Sequence, residues 1–147
     1  MLLSDEKPDL RLINPLTLAF VGDGVYEMLA REQVVRKFTS LSAKKLHSLT
    51  VEMVRATAQC EGFEKIEPIL TEQEMNVFKR GRNANGVTAP KHTHISIYRV
   101  ATGVEALFGW LYLSGQSDRI RELFEIILDV DIDEKCIICG NNDSAIL

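Results

Sequence analysis

The chain has 147 residues, the size of one ordinary domain, and at 46% hydrophobic and 26% charged it has the composition of an average soluble globular protein. Seventeen Lys and Arg against twenty-one Asp and Glu leave a formal charge of −4 and a pI near 5.4, which on its face argues against a nucleic-acid binder. Three cysteines make no even disulfide framework, the opening MLLSDEKPDLRL lacks the apolar stretch of a secretory signal, and no run reaches roughly 18 uncharged apolar residues. The longest candidate, Val100 to Leu113, is too short for a span and carries Glu105 in its middle. A soluble cytoplasmic protein without a membrane partner is expected.

Val, Ile and Thr do not alternate with polar residues, whereas helical spacing recurs. Asn14-Pro15 reads as an N-cap followed by proline at the first helical position, opening a helix to about Val35. Ser42 caps a second helix expected to run to about Gln59, with Leu46, Leu49, Met53 and Val54 on one side and Gly62 as a stop. Thr71-Glu72-Gln73-Glu74 matches a capping box and starts a third helix to about Arg82. Asn83 to Thr93 is a long loop rich in turn formers. An apolar helix follows from about Ile95 to Leu113, closed by Ser114-Gly115. Ser117 then caps a last helix, Asp118 to Leu128, whose Ile120, Leu123, Phe124 and Ile127 share a face. No repeat or linker divides the chain, so one all-α domain is expected, with a core over about 10–128 and a short acidic tail over 129–147.

Three features carry chemistry. The first is Phe20-Val21-Gly22-Asp23-Gly24-Val25, because each glycine inside a helix costs about 1 kcal/mol relative to alanine. Glycines flanking a carboxylate let another helix, a metal or a substrate come close; tight helix packing with Asp23 on the solvent side is the plainer alternative. The second is the helix around Ala101-Thr102-Gly103-Val104-Glu105, apolar on nearly all sides and therefore buried. An ionised Glu105 there must be paired with a base, protonated or a ligand. If the two helices cross with Asp23 and Glu105 facing each other, their oxygens suit Mg²⁺, which takes a few carboxylates and keeps several waters. Such a site can activate water and stabilise charge on a phosphodiester.

The third feature answers the charge objection. From Met75 to Val104 there is no acid in thirty residues, while Lys79, Arg80, Arg82, Lys91 and Arg99 give +5 and leave −9 on the other 117. Local excess of one sign, not the total, sets the field a ligand meets, so an anionic partner is favoured over a merely solvated helix end. His92 and His94 could add donors near neutral pH.

The segments Asn14 to Glu27 and Ala101 to Leu113 resemble the two catalytic-domain motifs of Mini-ribonuclease III, the short bacterial branch of the ribonuclease III family. Lys79-Arg80-Gly81-Arg82-Asn83 with Pro90-Lys91 resembles that branch's RNA-contacting loop, and the similarity spans about residues 10 to 128. The resemblance implies a homodimer of all-α subunits, each a single ribonuclease III-like domain of about six helices. It implies an endonuclease that cuts double-stranded RNA with Mg²⁺, for which Mn²⁺ can substitute, leaving 5′-phosphate ends. Its expected substrate is the precursor of large-subunit (23S) ribosomal RNA, presented with or without a ribosomal protein. By the same resemblance Asp23 and Glu105 are the catalytic metal ligands. Thr102 would bond a water at the metal, and Glu27 would act from farther out. Lys79, Arg80, Arg82, Asn83, Lys91 and His92 would contact RNA. Long ribonuclease III enzymes carry further acids where this chain has Leu16, Ala19 and Thr102, and they append a double-stranded-RNA-binding domain for which the nineteen residues after Leu128 are too few. RNA is then met by the nuclease dimer and its two basic loops, through backbone shape and 2′-hydroxyls.

The rival reading is a catalytically inert RNA-binding protein of the same fold that assists ribosome assembly. Cys136-Ile137-Ile138-Cys139 is a lone CxxC, short of the four ligands of a structural zinc site. His92 and His94 are spaced wrongly for one helical face, and His47 reads as a surface or core-edge residue. Trp110 and Tyr112 continue the apolar helix and read as core or dimer packing.

Overall fold

The computed structural model describes residues 6 and 8–128, and among them there are six α-helices and no strand. These are α1 (Pro15–Lys37), α2 (Ala43–Val54), α3 (Ala56–Ile66), α4 (Glu72–Arg82), α5 (Ile95–Leu113) and α6 (Ser117–Leu128), with 3₁₀ turns at Leu10–Leu12 and Glu67–Ile69. Cys136 and Cys139 lie outside the described residues, and Cys60 is a free thiol.

Three of the four caps read from the sequence act where expected; the exception is Ser117, which is the first residue of α6 and not its cap, the preceding Gln116 carbonyl accepting from Ile120 N at 3.1 Å. Asn14 Oδ1 accepts from Leu16 N at 2.8 Å, and Ser42 Oγ accepts from Lys45 N at 3.3 Å. At α4 both arms of the capping box form: Glu74 N donates to Thr71 Oγ1 at 3.1 Å and Thr71 N to Glu74 Oε2 at 2.9 Å. His94, with no such role expected of it, caps α5 by accepting from Ser96 N at 3.3 Å.

The long second helix is a correction. It breaks at Arg55, whose backbone is extended (φ −62°, ψ 153°), so Ser42 to Gln59 is two helices. Gly62 is no stop either. It lies inside α3, and a methyl group there would come within 2.8 Å of the Ile127 side chain, so it is the point where α6 packs closely on α3.

The core is built round α5, which packs against α1, α3, α4 and α6. Its Val104, Ala106, Leu107, Phe108 and Leu111 are fully buried, as its all-round apolar sequence requires. Phe108, Tyr26 of α1 and Phe124 of α6 meet edge to face, with Tyr26 5.2 Å from Phe108 and 5.3 Å from Phe124 between centroids. Trp110 is buried in this core and Tyr112 lies half-buried at its edge. A partly buried ion pair fastens α4 to α6, Arg119 donating to the buried Glu74 Oε1 at 2.8 Å and Oε2 at 2.9 Å.

Candidate active site

The crossing of α1 and α5 is set by glycine. A methyl group on Gly22 would overlap the backbone carbonyl of Glu105, and one on Gly109 would overlap the carbonyl of Leu18. The two helices therefore touch backbone to backbone, which offsets the helix propensity that each glycine gives up. On the opposite side of α5, Gly103 receives the ring of Phe78 from α4, at 2.6 Å from an added methyl carbon. Gly24 differs: nothing lies within 4 Å of a methyl group placed there. Of the two glycines flanking Asp23, one makes the close approach and the other faces open space.

That crossing brings Asp23 and Glu105 onto one open cleft of about 480 Å³, which Gln59 and Thr102 also line. Asp23 is exposed and Glu105 half-buried. Burial pushes the Asp23 carboxyl above the ordinary carboxylate value, and the charge of Glu27 adds to the shift. Glu105 is pushed up to about 7: burial is the main cause, a hydrogen bond from Gln59 opposes it, and the charge of Asp23 adds to it. Two carboxylates lining one water-accessible cleft, both with the charged form disfavoured by burial, form an anionic pair whose natural counter-ion is a cation.

Thr102 is buried and its hydroxyl donates to Tyr98 O at 3.0 Å, so its remaining hydrogen-bonding capacity on the cleft side is as an acceptor. Glu27 is not in the cleft lining. It lies one turn along α1 and pairs with Arg31 at 2.8 Å, reaching Asp23 only through its field.

Gln59 had no signal in the sequence beyond membership of an amphipathic helix. It is 2% exposed, and its Nε2 donates to Val54 O at 2.8 Å and to Glu105 Oε1 at 3.1 Å. Val54 is the last residue of α2 and Gln59 lies in the first turn of α3, so its amide spans the break at Arg55 as it reaches Glu105.

The acid-free basic segment borders this site. Gly86, Val87 and Thr88 of the loop line the same cleft as the carboxylates. Lys79, Arg80, Asn83, Lys91 and His92 are exposed, His92 with a positive φ of 75°. Arg80 donates to Ile13 O at 3.3 Å. Arg82 is half-buried, bonded to Asn83 Oδ1 at 3.1 Å, with its guanidinium 5.6 Å above the Phe78 ring. Arg99 donates at 3.4 Å to the carbonyls of Arg82 and Ala84, tying α5 to the root of the loop.

Among the described residues no cluster of three or more His, Cys, Asp and Glu could hold a metal. The donor set is two carboxylates with neutral amide and hydroxyl groups beside them. This set fits a hard divalent cation that retains much of its water, and it fits Zn²⁺ poorly, which takes three or four His, Cys or carboxylate ligands. No helix among the described residues is long and apolar enough to cross a membrane.

Comparison with known proteins agrees with this geometry. The Ribonuclease III domain family model matches residues 16–116, from the start of α1 to the turn after α5. Mini-ribonuclease 3 of Clostridium tetani is 40% identical over 124 residues, covering 84% of this chain and 82% of that protein. The Mini-ribonuclease 3 of Symbiobacterium thermophilum is 43% identical over 115 residues, 78% of this chain and 88% of that one. A crystal structure of a Fusobacterium nucleatum protein superposes with a TM-score of 0.75 at 28% identity, covering 83% of this chain and 98% of the other. With both motif helices and the basic segment between them inside the matched region, the chain belongs to the ribonuclease III family, in its Mini-ribonuclease 3 branch, and is an endoribonuclease.

Proposed function

We propose that this endoribonuclease hydrolyses phosphodiesters of double-stranded RNA with Mg²⁺ at Asp23 and Glu105, as a homodimer, and that its substrate is the precursor of large-subunit ribosomal RNA. The observation that carries the reading is the shared cleft: two carboxylates held together by a glycine-mediated helix crossing, with the loop of an acid-free basic segment forming one wall. When bound, Mg²⁺ supplies Lewis-acid activation of water and neutralises charge on the phosphodiester. Asp23 and Glu105 hold it, and its charge offsets the cost of burying their carboxylates, which is the main cause of the rise at both groups. Thr102 offers an acceptor that orients cleft water. Lys79, Arg80, Arg82, Asn83, Lys91 and His92 position the duplex through its backbone, which fixes register without reading sequence strongly. Residues 10–128 act as one nuclease domain, with 129–147 as its tail.

Homodimerisation is supported by α1 itself. Phe20 and Met28 lie eight residues apart, on one stripe with Gly24, and are 81% and 66% exposed. Large apolar side chains so placed mark an interface. Because Phe20 also lines the cleft, a second copy seated on this stripe would abut the site.

The test is a long RNA duplex incubated with the protein in Mg²⁺ and then in EDTA, for the wild type, Asp23→Asn and Glu105→Gln. Cutting in Mg²⁺ alone, abolished by either substitution with helical content unchanged, is the expected result. Binding without cutting by the wild type would select the inert RNA-binding alternative, and full activity in Asp23→Asn would remove that residue from the metal site.

A further inference from the structure

Gln59 is the one polar side chain that touches both the catalytic carboxylate and the irregular joint between α2 and α3. Its orientation is fixed by chemistry. Val54 O can only accept, so the amide nitrogen must face it, and the same nitrogen then reaches Glu105 Oε1. The consequence falls on the other end. Gln59 Oε1 is fully buried and has no partner among the described residues, and it is the only such side-chain atom among them. Buried polar atoms left in that state cost stability and persist where something else requires the geometry.

What requires it here is Glu105. The carboxylate sits on a helix that is otherwise apolar on nearly all sides, so its rotamer has few polar groups to fix it. A Lys or Arg at position 59 would fix it more strongly but would also neutralise it and compete with a cation. A neutral amide donor binds Oε1 without bringing a positive charge of its own into the cleft. We infer that Gln59 is a positioning residue for metal binding: through Nε2 it holds Glu105 Oε1 in a single orientation, and its anchor on Val54 O ties that orientation to the α2–α3 joint. This inference rests on the proposed Asp23–Glu105 metal site.

The test uses the full-length protein without RNA, titrated with Mn²⁺ as the probe and followed by electron paramagnetic resonance. Gln59→Met, of similar length but without a donor, is expected to bind Mn²⁺ about 10- to 100-fold more weakly, the range typical for partners that orient metal ligands. In cleavage assays the metal concentration for half-maximal rate should rise by a similar factor, with KM for RNA unchanged. If Gln59→Met lowers the melting temperature but binds Mn²⁺ as the wild type does, Gln59 only caps α2 and the inference is overturned. Should Gln59→Met fail to fold, Gln59→Asn keeps the chemistry but is one methylene too short to bridge both acceptors. A folded Gln59→Asn with undiminished Mn²⁺ affinity would likewise overturn it. Asp23→Asn in parallel separates the two levels: undiminished Mn²⁺ binding there defeats the metal site itself, whereas loss there with none in the Gln59 variants defeats only the role of Gln59.

Discussion

Gly22 and Gly24 stand two residues apart on α1, yet a methyl group added to each meets opposite surroundings. At Gly22 it would overlap the Glu105 carbonyl, and relief requires α1 and α5 to separate along the line that aligns the two carboxylates. Gly22→Ala is therefore expected to destabilise the protein by about 3 kcal/mol or more, as severe overpacking does, and to remove cleavage with it. Within one subunit Gly24 has open space and ordinary helical backbone, so Gly24→Ala in the Met28→Glu background, where no second copy covers the stripe, should stabilise by about 0.5–1 kcal/mol through helix propensity and a less disordered unfolded state. Urea denaturation of both variants at one protein concentration checks the pair, and equal effects would contradict the crossing described. The sequence marked both glycines alike as costly, and correctly placed a carboxylate between them. Which of two glycines faces the neighbouring helix depends on the crossing, a tertiary quantity that spacing along one helix does not contain. Gln59 was illegible for the same reason, since its partner Glu105 lies 46 residues away in sequence.

At the scale of elements, α4 carries the basic residues Lys79, Arg80 and Arg82 in its last turn and must itself be held. Its N-terminus is fixed by Glu74, which serves both the capping box and the ion pair to Arg119 of α6. Burial raises the Glu74 carboxyl, but the bonds from Arg119 and from the Thr71 backbone outweigh it and hold the group below its ordinary value of 4.5. A carboxylate with a lowered folded-state pKa contributes stability that is complete above 4.5 and is lost as pH falls through the folded-state value. Glu74→Gln removes one of the partners of Arg119, which keeps Glu122 and the Ile69 carbonyl, and should cost about 1–3 kcal/mol at neutral pH. The gap between variant and wild type should close as the pH drops below 4.5. Thermal melts at pH 7, 5 and 3 check this, and a gap that stayed constant would mean that Glu74 acts only as a neutral cap. The capping box was legible because it is local, whereas the ion pair joins residues 45 apart and was not. The α2–α3 break was missed for a further reason: Arg55 is compatible with a helix, and only the packing of α2 and α3 on different neighbours forces its extended backbone.

At the scale of the whole molecule, a net charge of −4 is an average over a −9 body and a +5 segment, and the fold sets that segment beside the anionic cleft. A phosphodiester backbone drawn to Lys79 and Lys91 would otherwise be repelled by Asp23 and Glu105, so binding and metal loading are coupled through charge. One subunit's loop offers few phosphate contacts. A dimer offers two such loops, and the exposed Phe20–Met28 stripe is where a second copy would join. Counterion release makes the number of contacts measurable, since the slope of log affinity against log salt scales with the phosphates neutralised. Met28→Glu places a charge at the end of that stripe farther from the cleft, without touching the cleft lining, so it should yield a monomer by sedimentation with its fold intact. For that monomer, duplex binding measured in EDTA should show a salt slope about half that of the wild type, because one loop engages instead of two. Halving of the slope together with dissociation ties RNA affinity to the two-fold assembly. A Met28→Glu protein that stayed dimeric would move the interface off α1, and a monomer with an unchanged slope would move the RNA contacts off the loops.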